Sequence, residues 1–473
     1  MIEMNRETQV PGGTVLMLSY SYPPRRSAST FRVIRFTRHL PEFGWRCVVV
    51  TPHAECYPGC DDELLKQVHP LTEVHRFACG DPAEHLKRWM THHEYASGGA
   101  MYLSVKVLHR LIDKACVPDS RVLGSRRLLR ESLKVISRQR VDAVWLTGPP
   151  FSTFGIVPAL KRKTGLPVML DLRDPWTTGL RYSGLSRWKY SLERRQERRA
   201  FELADRVILN THYALNQYRA LYPDLNPERW GVLPNTYDPE DFSGIQPERF
   251  PKKVLLHAGM SGGIRTARWL IEAMGRLRRE GRVDPESFRY ISYGPGGHEE
   301  HEAVAQAGVG DMVEFRGSRP HREVLSAMTG SDALLLLVGK GHEASIPSKL
   351  YEYMAVGRPV LMAGPPDCAA ADVIRETGIG KVVPLEDTDG LISCLKDILD
   401  GRLTERRSQH EGVKAYQTRS VVQSLASLLD ALVANRAASA APVVCHGSGG
   451  GSAIMEGRPK SVSPGDVVGS QSD

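Results

Sequence analysis

The chain has 473 residues, which is too long for one ordinary hydrophobic core and predicts two domains of roughly 200 residues each. It carries 62 Lys and Arg against 54 Asp and Glu, and the net charge of +8 favours anionic partners such as nucleotide phosphates, acidic lipids or nucleic acid. The N-terminus lacks the apolar core of a signal peptide, and no window is long enough to span a membrane. We therefore expect a cytosolic protein.

The N-terminal half alternates buried strands with helices. Strands are predicted at 14–20, 46–51, 141–148, within 167–176 and at 206–210, and helices at 30–40, 126–140, 152–164 and 187–203. Residues 52–140 are less regular and are interpreted as loops and helices inserted between strands. The helix 126–140 is basic and amphipathic, so it either touches anionic lipid or is a core helix with a solvated face. The pattern predicts a parallel sheet covered by helices.

Two polar segments follow strands of this sheet. In such sheets ligands bind at the carboxyl ends of the strands, so the loop 22–29, with its small residues, should face a cleft. It lacks the glycines of a G-x-G-x-x-G fingerprint, which counts against a dinucleotide site. Asp171, Arg173 and Asp174 stand at the end of another strand. They either contact a ligand or form a buried ion pair that fixes the loop.

A second alternation begins after a polar linker that runs from Asn235 to Pro251. Strands are predicted at 253–257, 288–293, 312–315, 333–338, 359–363 and 381–384. We predict two α/β domains, residues 1–240 and 241–415, and a helix at 416–435 that packs back on the first domain. Residues 437–473 are rich in Ala, Ser, Gly and Pro, and we expect them to be disordered.

The stretch 346–360 reads as a short helix between two apolar strands. Pro347 suits the first turn, Gly357 suits the C-terminal cap, and Ser348 and Lys349 lie where the first backbone N–H groups lack partners. Such a helix start can bind a phosphate, and Glu352, one turn on, could accept hydrogen bonds from a sugar hydroxyl. The alternative is a helix with a solvated Lys and Glu in its first turns.

Together with other motifs, this stretch resembles the retaining GT-B glycosyltransferases of family four, in particular bacterial nucleotide-sugar-dependent members that begin this helix with Pro-Ser-Lys. The resemblance runs from about Gly13 to Val433. Its motifs are 347–360, 171–176, 233–235 with Asp238, 257–259, 315–317, and 22–24 with Arg32. The resemblance implies an α/β GT-B fold, in which two doubly wound Rossmann-like domains face a central cleft.

The resemblance also implies roles for individual residues. The donor nucleotide would sit on the second domain, with Glu352 on the ribose and with Ser348 and Lys349 on the diphosphate. The base would meet the loop at Gly317 and Ser318, and the loop 259–265 would add phosphate contacts. The donor-side residues of that loop are Gly259, Gly262, Gly263 and Arg265. The acceptor side would comprise Pro24, Ser27, Arg32, Asp171 and Arg173, and the catalytic residues would be Asp174, Lys349 and Arg265.

Two positions depart from the family pattern. Many members have Glu-x7-Glu, but the residue eight before Glu352 is Ala344, and Glu343 is one residue out of register. Many members also place Arg and Lys in the loop after the first strand of the second domain, where this chain has Met260 after Gly259 and only Arg265 as a substitute. The donor range is therefore expected to be unusual or reduced.

The predicted function is retaining transfer of a sugar from a nucleotide-diphosphate sugar to a glycan or lipid-linked acceptor in surface or exopolysaccharide biosynthesis. No Asp-x-Asp follows a strand, so we expect no metal and no other cofactor. The alternatives are a non-catalytic nucleotide-sugar-binding subunit and a nucleotide-sugar epimerase. An anionic membrane surface is a further candidate partner, whereas nucleic acid is not expected because no basic motif is interleaved with aromatic residues.

Overall fold

The computed structural model describes residues 12–57, 59–78, 82–92, 99–179, 186–403 and 411–440. The first sheet has seven parallel strands in the order β3-β2-β1-β4-β5-β6-β7. These strands are β1 (Gly13–Leu18), β2 (Trp45–Pro52), β3 (Glu73–Phe77), β4 (Ala143–Gly148), β5 (Val168–Leu172), β6 (Arg206–Leu209) and β7 (Trp230–Val232). The central strands are buried almost throughout because hydrophobic clusters cover both faces of the sheet.

Seven helices connect or flank these strands. They are α1 (Ala28–His39), α2 (Pro82–His92), α3 (Ala100–Ala115), α4 (Ser125–Arg138), α5 (Val157–Thr164), α6 (Arg187–Leu203) and α7 (His212–Leu221). The helix predicted at 152–164 begins as a 3-10 turn, Phe151–Ile156, and continues as α5. The prediction for 52–140 missed β3, which extends the sheet, and β7 was also missed.

The second sheet has six parallel strands in the order β10-β9-β8-β11-β12-β13. These strands are β8 (Lys253–His257), β9 (Phe288–Ser292), β10 (Val313–Phe315), β11 (Ala333–Leu337), β12 (Val360–Ala363) and β13 (Gly380–Val383). The helices are α8 (Arg268–Arg279), α9 (His298–Ala307), α10 (His321–Gly330), α11 (Ser348–Val356), α12 (Ala369–Thr377), α13 (Thr388–Leu399) and α14 (Glu411–Lys414). The two doubly wound parallel sheets confirm the predicted GT-B fold.

The C-terminal helix α15 (Thr418–Ala440) returns to the first domain. Its apolar residues pack in the same cluster as β1, β2 and α1, and the indole N–H of Trp45 donates to Asp430 at 2.9 Å. The helix extends into the first four residues of the segment 437–473 that was expected to be disordered. Residues 441–473 lie outside the described part of the chain.

Within the described part of the chain, no helix combines the length and the apolar character needed to cross a membrane. The basic helix predicted at 126–140 is α4, and its apolar residues Leu128, Leu129, Leu133 and Val135 pack on the core of the first domain. The interpretation as a core helix with a solvated basic face is therefore confirmed.

Candidate active site

A cavity of about 280 Å³ lies where the two domains meet. The first domain lines it with residues from the loops after β4 and β5 and from α7, and the second domain lines it with the loop 341–345 that precedes α11. The first-domain residues are Pro149, Phe151, Asp174, Pro175, Thr178, Gly179 and Gln217. The cavity is thus at the carboxyl ends of both sheets, where a GT-B fold brings two ligands together.

Asp174 is the predicted catalytic residue that the structure places in this cavity. Burial by the surrounding loops raises the pKa of its carboxyl group, against the opposing charges of Arg173 and Arg32. A carboxylate with a raised pKa accepts a proton more readily at neutral pH than an ordinary surface aspartate. Glu343 provides a second carboxylate on the facing wall.

Arg32 and Asp171 form a buried pair. Arg32 Nη2 lies 2.8 Å from Asp171 Oδ1, and both side chains are almost fully buried. Arg32 also donates to the carbonyls of Leu233 and Pro234 and to Asn235 Oδ1, at 2.8, 2.7 and 3.0 Å. All five N–H donors of the guanidinium are engaged. These bonds hold the 233–235 loop against the sheet, and contact of either residue with an acceptor stays a prediction.

Arg173 has a similar positioning role. Its guanidinium donates to the carbonyls of Gly148 at the end of β4, Pro149 just after it, and Ser29 in the first turn of α1. Burial lowers the pKa of Arg173 to about 10, against the neighbouring charge of Asp171. Arg173 thus fixes the loop that supplies Pro149 to the cavity wall, and its contact with an acceptor stays a prediction.

Ser27 and Pro24 have local structural roles. Ser27 is the N-cap of α1, where its hydroxyl oxygen accepts from the Thr30 backbone N–H at 3.3 Å. Pro24 is buried, and its carbonyl accepts from the Asp61 N–H at 2.8 Å. Neither residue lines the cavity, so their contact with an acceptor stays a prediction.

Helix α6 supports the cavity wall in a way that the sequence reasoning missed. Its Glu197 is fully buried and accepts hydrogen bonds from Thr177 N, Thr177 Oγ1, Tyr218 OH and Tyr222 OH, at 2.9, 2.6, 3.1 and 2.6 Å. Trp176 stacks on Phe151 with the ring centroids 5.1 Å apart. This network fixes the loop that carries Asp174. The signal in the sequence was that Glu193 and Glu197 lie four residues apart on a strongly basic helix.

On the second domain, α11 begins as predicted. Pro347 is the N-cap and offers no side-chain hydrogen bond to the first turn, so the backbone N–H groups near Ser348 face solvent or a ligand. Lys349 Nζ lies 2.8 Å from Glu352 Oε2, and His321 Nε2 lies 3.6 Å from the same oxygen. Burial opposes ionisation of Glu352, but the interactions with His321 and Lys349 outweigh it and lower its pKa. The sequence reasoning missed His321.

The glycine loop after β8 makes a tight turn. Gly262 and Arg265 exchange backbone hydrogen bonds of 3.0 and 3.2 Å, and the turn needs φ of +118° at Gly262 and +56° at Gly263. Buried Glu300 anchors both ends of the loop, because it accepts from Ser261 Oγ at 2.7 Å and from the Ala267 N–H at 2.6 Å. Glu300 and the backbone bonds thus hold the loop in place without using the side chain of Arg265.

Arg265 links this loop to the cavity. It is exposed, and its Nη2 lies 3.2 Å from Nε2 of His342, a cavity residue. Burial and the adjacent Arg265 charge lower the pKa of His342, so its neutral ring accepts the hydrogen bond. His342 was not predicted from the sequence, since no motif singles it out.

The remaining donor-side residues lie at the same sheet edge. A side chain at Gly294 would collide with the carbonyl of Gly259, so the loops after β8 and β9 are in close contact. Gly317 has φ of +66° and, with the exposed Ser318, forms the turn between β10 and α10. A role in binding the base stays a prediction for both residues.

Ala344 connects the two domains. Its carbonyl accepts a 2.9 Å hydrogen bond from Thr211 Oγ1, and its side chain packs on the core cluster of the first domain. The residue that departs from the family pattern is therefore a domain contact. Nearby, Gln217 lines the cavity, and its buried side-chain oxygen has no hydrogen-bond partner among the described residues. Thr211 and Gln217 were also missed.

In the described ranges, no three His, Cys, Asp or Glu side chains are grouped to hold a metal ion.

Two known domain families match the chain in succession. The glycosyl transferase 4-like domain matches residues 30–236, and the glycosyl transferases group 1 domain matches residues 251–401. The two matches together cover about three quarters of the chain and correspond to its two sheets.

Two curated relatives are named as the colanic acid biosynthesis glycosyltransferase WcaL. The Salmonella typhimurium protein is 28% identical over 174 residues, and the Escherichia coli K12 protein is 30% identical over 175 residues. Each match covers 34% of this chain, and the chain spans only 41% of the length of each relative.

Solved structures share the whole architecture. A glycosyltransferase from Rickettsia africae superposes with a TM-score of 0.59 at 12% identity, covering 89% of this chain and 99% of that one. Anabaena HepE in complex with UDP-glucose superposes with a TM-score of 0.55 at 15% identity, and the lipopolysaccharide biosynthesis glycosyltransferase WaaG with a TM-score of 0.51 at 17% identity. Each comparison covers 88% of this chain and 99% of the other chain. These similarities establish the fold. The two domain matches show that the chain joins a region that matches the glycosyl transferase 4-like domain to a region that matches the glycosyl transferases group 1 domain.

Proposed function

We propose that this protein transfers a sugar from a nucleotide-diphosphate sugar to a glycan or lipid-linked acceptor in surface or exopolysaccharide biosynthesis. The observation that carries the proposal is the cavity between the domains, with Asp174 on one wall and the loop before α11 on the other. The names of the WcaL and WaaG proteins, which place them in colanic acid and lipopolysaccharide biosynthesis, support the acceptor class.

The donor is assigned to the second domain. The N-terminus of α11 and Lys349 would contact the diphosphate. Arg265 would contact it from the loop after β8, because its side chain lies next to His342, which lines the cavity. Glu352, an ionised carboxylate with a lowered pKa, would accept hydrogen bonds from the ribose hydroxyls. The UDP-glucose complex of HepE, which has the same fold, supports a nucleotide sugar as the ligand.

Catalysis would stabilise the leaving nucleoside diphosphate with fixed positive charge. Lys349, Arg265 and the helix N–H groups supply that charge, which is why we propose transfer without a metal. Unchanged turnover in excess EDTA is the expected result. Retention of the anomeric configuration, by front-face attack assisted by the departing phosphate, is part of the proposal and follows from the family resemblance. The anomeric coupling constant of the product, measured by NMR, tests it.

Gln217 is our candidate for sugar recognition. Gln217 lines the cavity, and its buried side-chain oxygen has no partner among the described residues. Leaving a buried polar atom unpaired costs about 1–3 kcal/mol. A ligand hydroxyl that donates to this oxygen removes that cost. A site built this way discriminates strongly against ligands that lack the hydroxyl. This supports a polyhydroxylated ligand in the cavity.

Ala344 favours a second candidate, a nucleotide-sugar-binding subunit without catalysis. The position where many family members have a glutamate is occupied here by a small residue that packs against the first domain. Such a subunit would bind the nucleotide sugar and would not cleave the bond between the nucleotide and the sugar. An epimerase would instead convert the donor without any acceptor.

The donor site is tested by thermal-shift titration of the full chain with UDP, GDP and ADP. At a hundred times its dissociation constant, a bound nucleotide stabilises the protein by about 2.7 kcal/mol. Lys349→Ala should weaken binding of the nucleotide that stabilises the wild type by about ten- to a hundredfold, because a charge-assisted hydrogen bond is lost. Lys381→Ala is the matched control, since Lys381 lies on β13 and pairs with Asp397 of α13 at 2.6 Å.

An unchanged nucleotide response in both Lys349→Ala and Glu352→Ala would mean that the donor site is elsewhere.

Turnover of a nucleotide sugar separates the candidate functions. Release of nucleotide from a nucleotide sugar that depends on an added glycan or lipid-linked acceptor supports the transferase. Tight binding with no release supports the non-catalytic subunit, and an interconverted donor without acceptor supports the epimerase.

A further inference from the structure

The second sheet reverses its strand order between β8 and β11. From β8 the chain continues outward through β9 and β10, and it then returns to the other side of β8 with β11. Parallel α/β sheets bind ligands at such a topological switch point, in the crevice at the carboxyl ends of the two strands. The glycine loop (259–265) follows β8, and the segment that leads to α11 follows β11. Both elements assigned to the donor therefore leave the sheet at its switch point.

The strands β8 and β11 separate before either of them ends. Their pairing stops at Leu256 and Leu334. By contrast, β8 stays paired with β9 as far as His257, and β11 stays paired with β12 as far as Leu337. Where two parallel strands separate, their backbone groups lose the partners of the ladder, and buried backbone groups then need other partners. In this sheet two side chains supply them.

Tyr353 and His257, which we call the switch-point pair, occupy the opening between the two strands. The Tyr353 hydroxyl accepts from the Ala258 N–H at 3.0 Å and donates to the Leu335 carbonyl at 3.1 Å. Nδ1 of His257 lies 3.0 Å from the same carbonyl. Both side chains of the pair are buried. The pair thus connects the end of β8, the middle of β11 and helix α11.

Burial sets the protonation states of the switch-point pair. It raises the pKa of Tyr353, so the hydroxyl keeps the proton that it donates. It lowers the pKa of His257, against the opposing effect of the Leu335 carbonyl, so the ring is neutral. Because a carbonyl only accepts, Nδ1 carries the proton of this ring and Nε2 is an acceptor. A Cβ on Gly259 would lie 3.5 Å from Nε2, so the pair also reaches the first residue of the glycine loop.

We propose that Tyr353 is a positioning residue that sets the separation between the glycine loop and α11, and thereby the fit of the donor diphosphate between them. The inference deepens the proposed function and rests on it. Tyr353 lies on α11, one turn after Lys349. Its hydroxyl holds the N–H of Ala258, directly before the loop that carries Arg265. One hydroxyl therefore joins the two elements whose cations would contact the diphosphate.

The separation of these elements should matter more for a diphosphate than for a monophosphate. A diphosphate has two phosphoryl groups, and the loop and the helix would each contact it, so its affinity depends on how well the two elements are preorganised. A monophosphate can be held by one element alone. Selective loss of diphosphate affinity is therefore the signature of the positioning role, whereas general damage to α11 would weaken both ligands equally.

The test compares the wild-type chain with Tyr353→Phe by calorimetric titration with UDP, GDP and ADP and with the corresponding monophosphates. The variant keeps the buried ring and leaves the Ala258 N–H without its acceptor. For the diphosphate that binds the wild type, the affinity should fall about tenfold, and for its monophosphate the affinity should fall less than about twofold.

His257 gives a second comparison. His257→Asn can keep an amide donor near the Leu335 carbonyl, whereas His257→Leu has no donor. His257→Asn should therefore retain more diphosphate affinity than His257→Leu. This pair of variants also decides the question if Tyr353→Phe does not fold, because equal affinities in the two variants would overturn the inference.

Tyr290→Phe is the matched control. Tyr290 is fully buried on the neighbouring strand β9, and its hydroxyl has no hydrogen-bond partner among the described residues. This variant should bind both nucleotides like the wild type. Unchanged diphosphate affinity in Tyr353→Phe, or an equal loss for the diphosphate and the monophosphate, would overturn this inference and leave the proposed function intact. A wild type that binds none of these nucleotides would overturn the proposed donor site and this inference with it.

Discussion

The loops at the carboxyl ends of the two sheets are held in different ways. In the first domain, buried charged side chains fix them: Arg32 with Asp171 holds the 233–235 loop, and Glu197 holds the loop that carries Asp174. In the second domain, glycines shape the loop, buried Glu300 anchors it, and Arg265 is exposed. The first domain thus presents a fixed carboxylate, whereas the second presents cations that can adjust to a phosphate.

The largest effect should come from the fixed carboxylate. Asp174→Asn removes a proton acceptor from the cavity, and we expect kcat to fall by about 10²- to 10⁴-fold while the affinity for nucleoside diphosphate stays the same. Steady-state kinetics and the thermal shift measure the two quantities. Asp224→Asn, at an exposed ion pair with Arg198, is the control. A loss of nucleotide affinity in Asp174→Asn would place this residue on the donor side.

The buried frame of the first domain is broken by Arg32→Met. It leaves Asp171 as an uncompensated buried charge, and the free energy of unfolding should fall by about 3–5 kcal/mol. Arg38→Met, which removes an exposed pair with Glu240, should cost less than about 1 kcal/mol. Urea unfolding compares them. If the double variant Arg32→Met with Asp171→Leu does not recover stability relative to Arg32→Met, the loss comes from the 233–235 loop and not from the unpaired charge.

The glycine loop of the second domain is tested by Gly262→Ala. With φ of +118° and its Cβ position 3.2 Å from Gly297 Cα, an alanine should cost about 1–3 kcal/mol of stability and weaken nucleotide binding. Gly281→Ala, at φ of +65° in open space, should lose stability through the same kind of backbone strain with nucleotide affinity unchanged. Equal affinities in the two variants would exclude the loop from donor binding.

The smallest effect concerns pH. The hydrogen bond to Asp238 raises the pKa of His39 above its ordinary value of 6.5, although burial opposes it. The raised pKa gives a stabilisation that is fully present below pH 6.5 and is lost as the pH rises through the folded-state value. Relative to His39→Gln, the wild type should therefore lose its advantage in thermal unfolding as the pH increases. A constant difference across this window would mean that His39 stays neutral.

The strands of both sheets were predictable because most are apolar runs buried on both faces. The edge strand β3 was missed, since Glu73–Phe77 is mostly half-buried and mixes charged with apolar residues. Helix α3 was not given bounds of its own, because residues 52–140 were interpreted only as loops and helices inserted between strands.

The site was predictable where one local segment carries the signal. The start of α11 could be inferred from Pro347 and Gly357, and Asp174 from its place after a strand. Arg32 and Asp171 are 139 residues apart, and no local pattern indicates that Asp171 and the 233–235 loop together engage every donor of the guanidinium. His342 and Gln217 belong to the cavity only because the domains meet there.

The hydrogen bond between Thr211 and Ala344 has a consequence for turnover. The Thr211 hydroxyl donates to the Ala344 carbonyl across the domain junction, and its oxygen accepts from the Ala214 N–H as the N-cap of α7. In the proposed reaction, separation of the domains would break the first bond and leave the second, so α7 would keep its N-cap while the cleft is open.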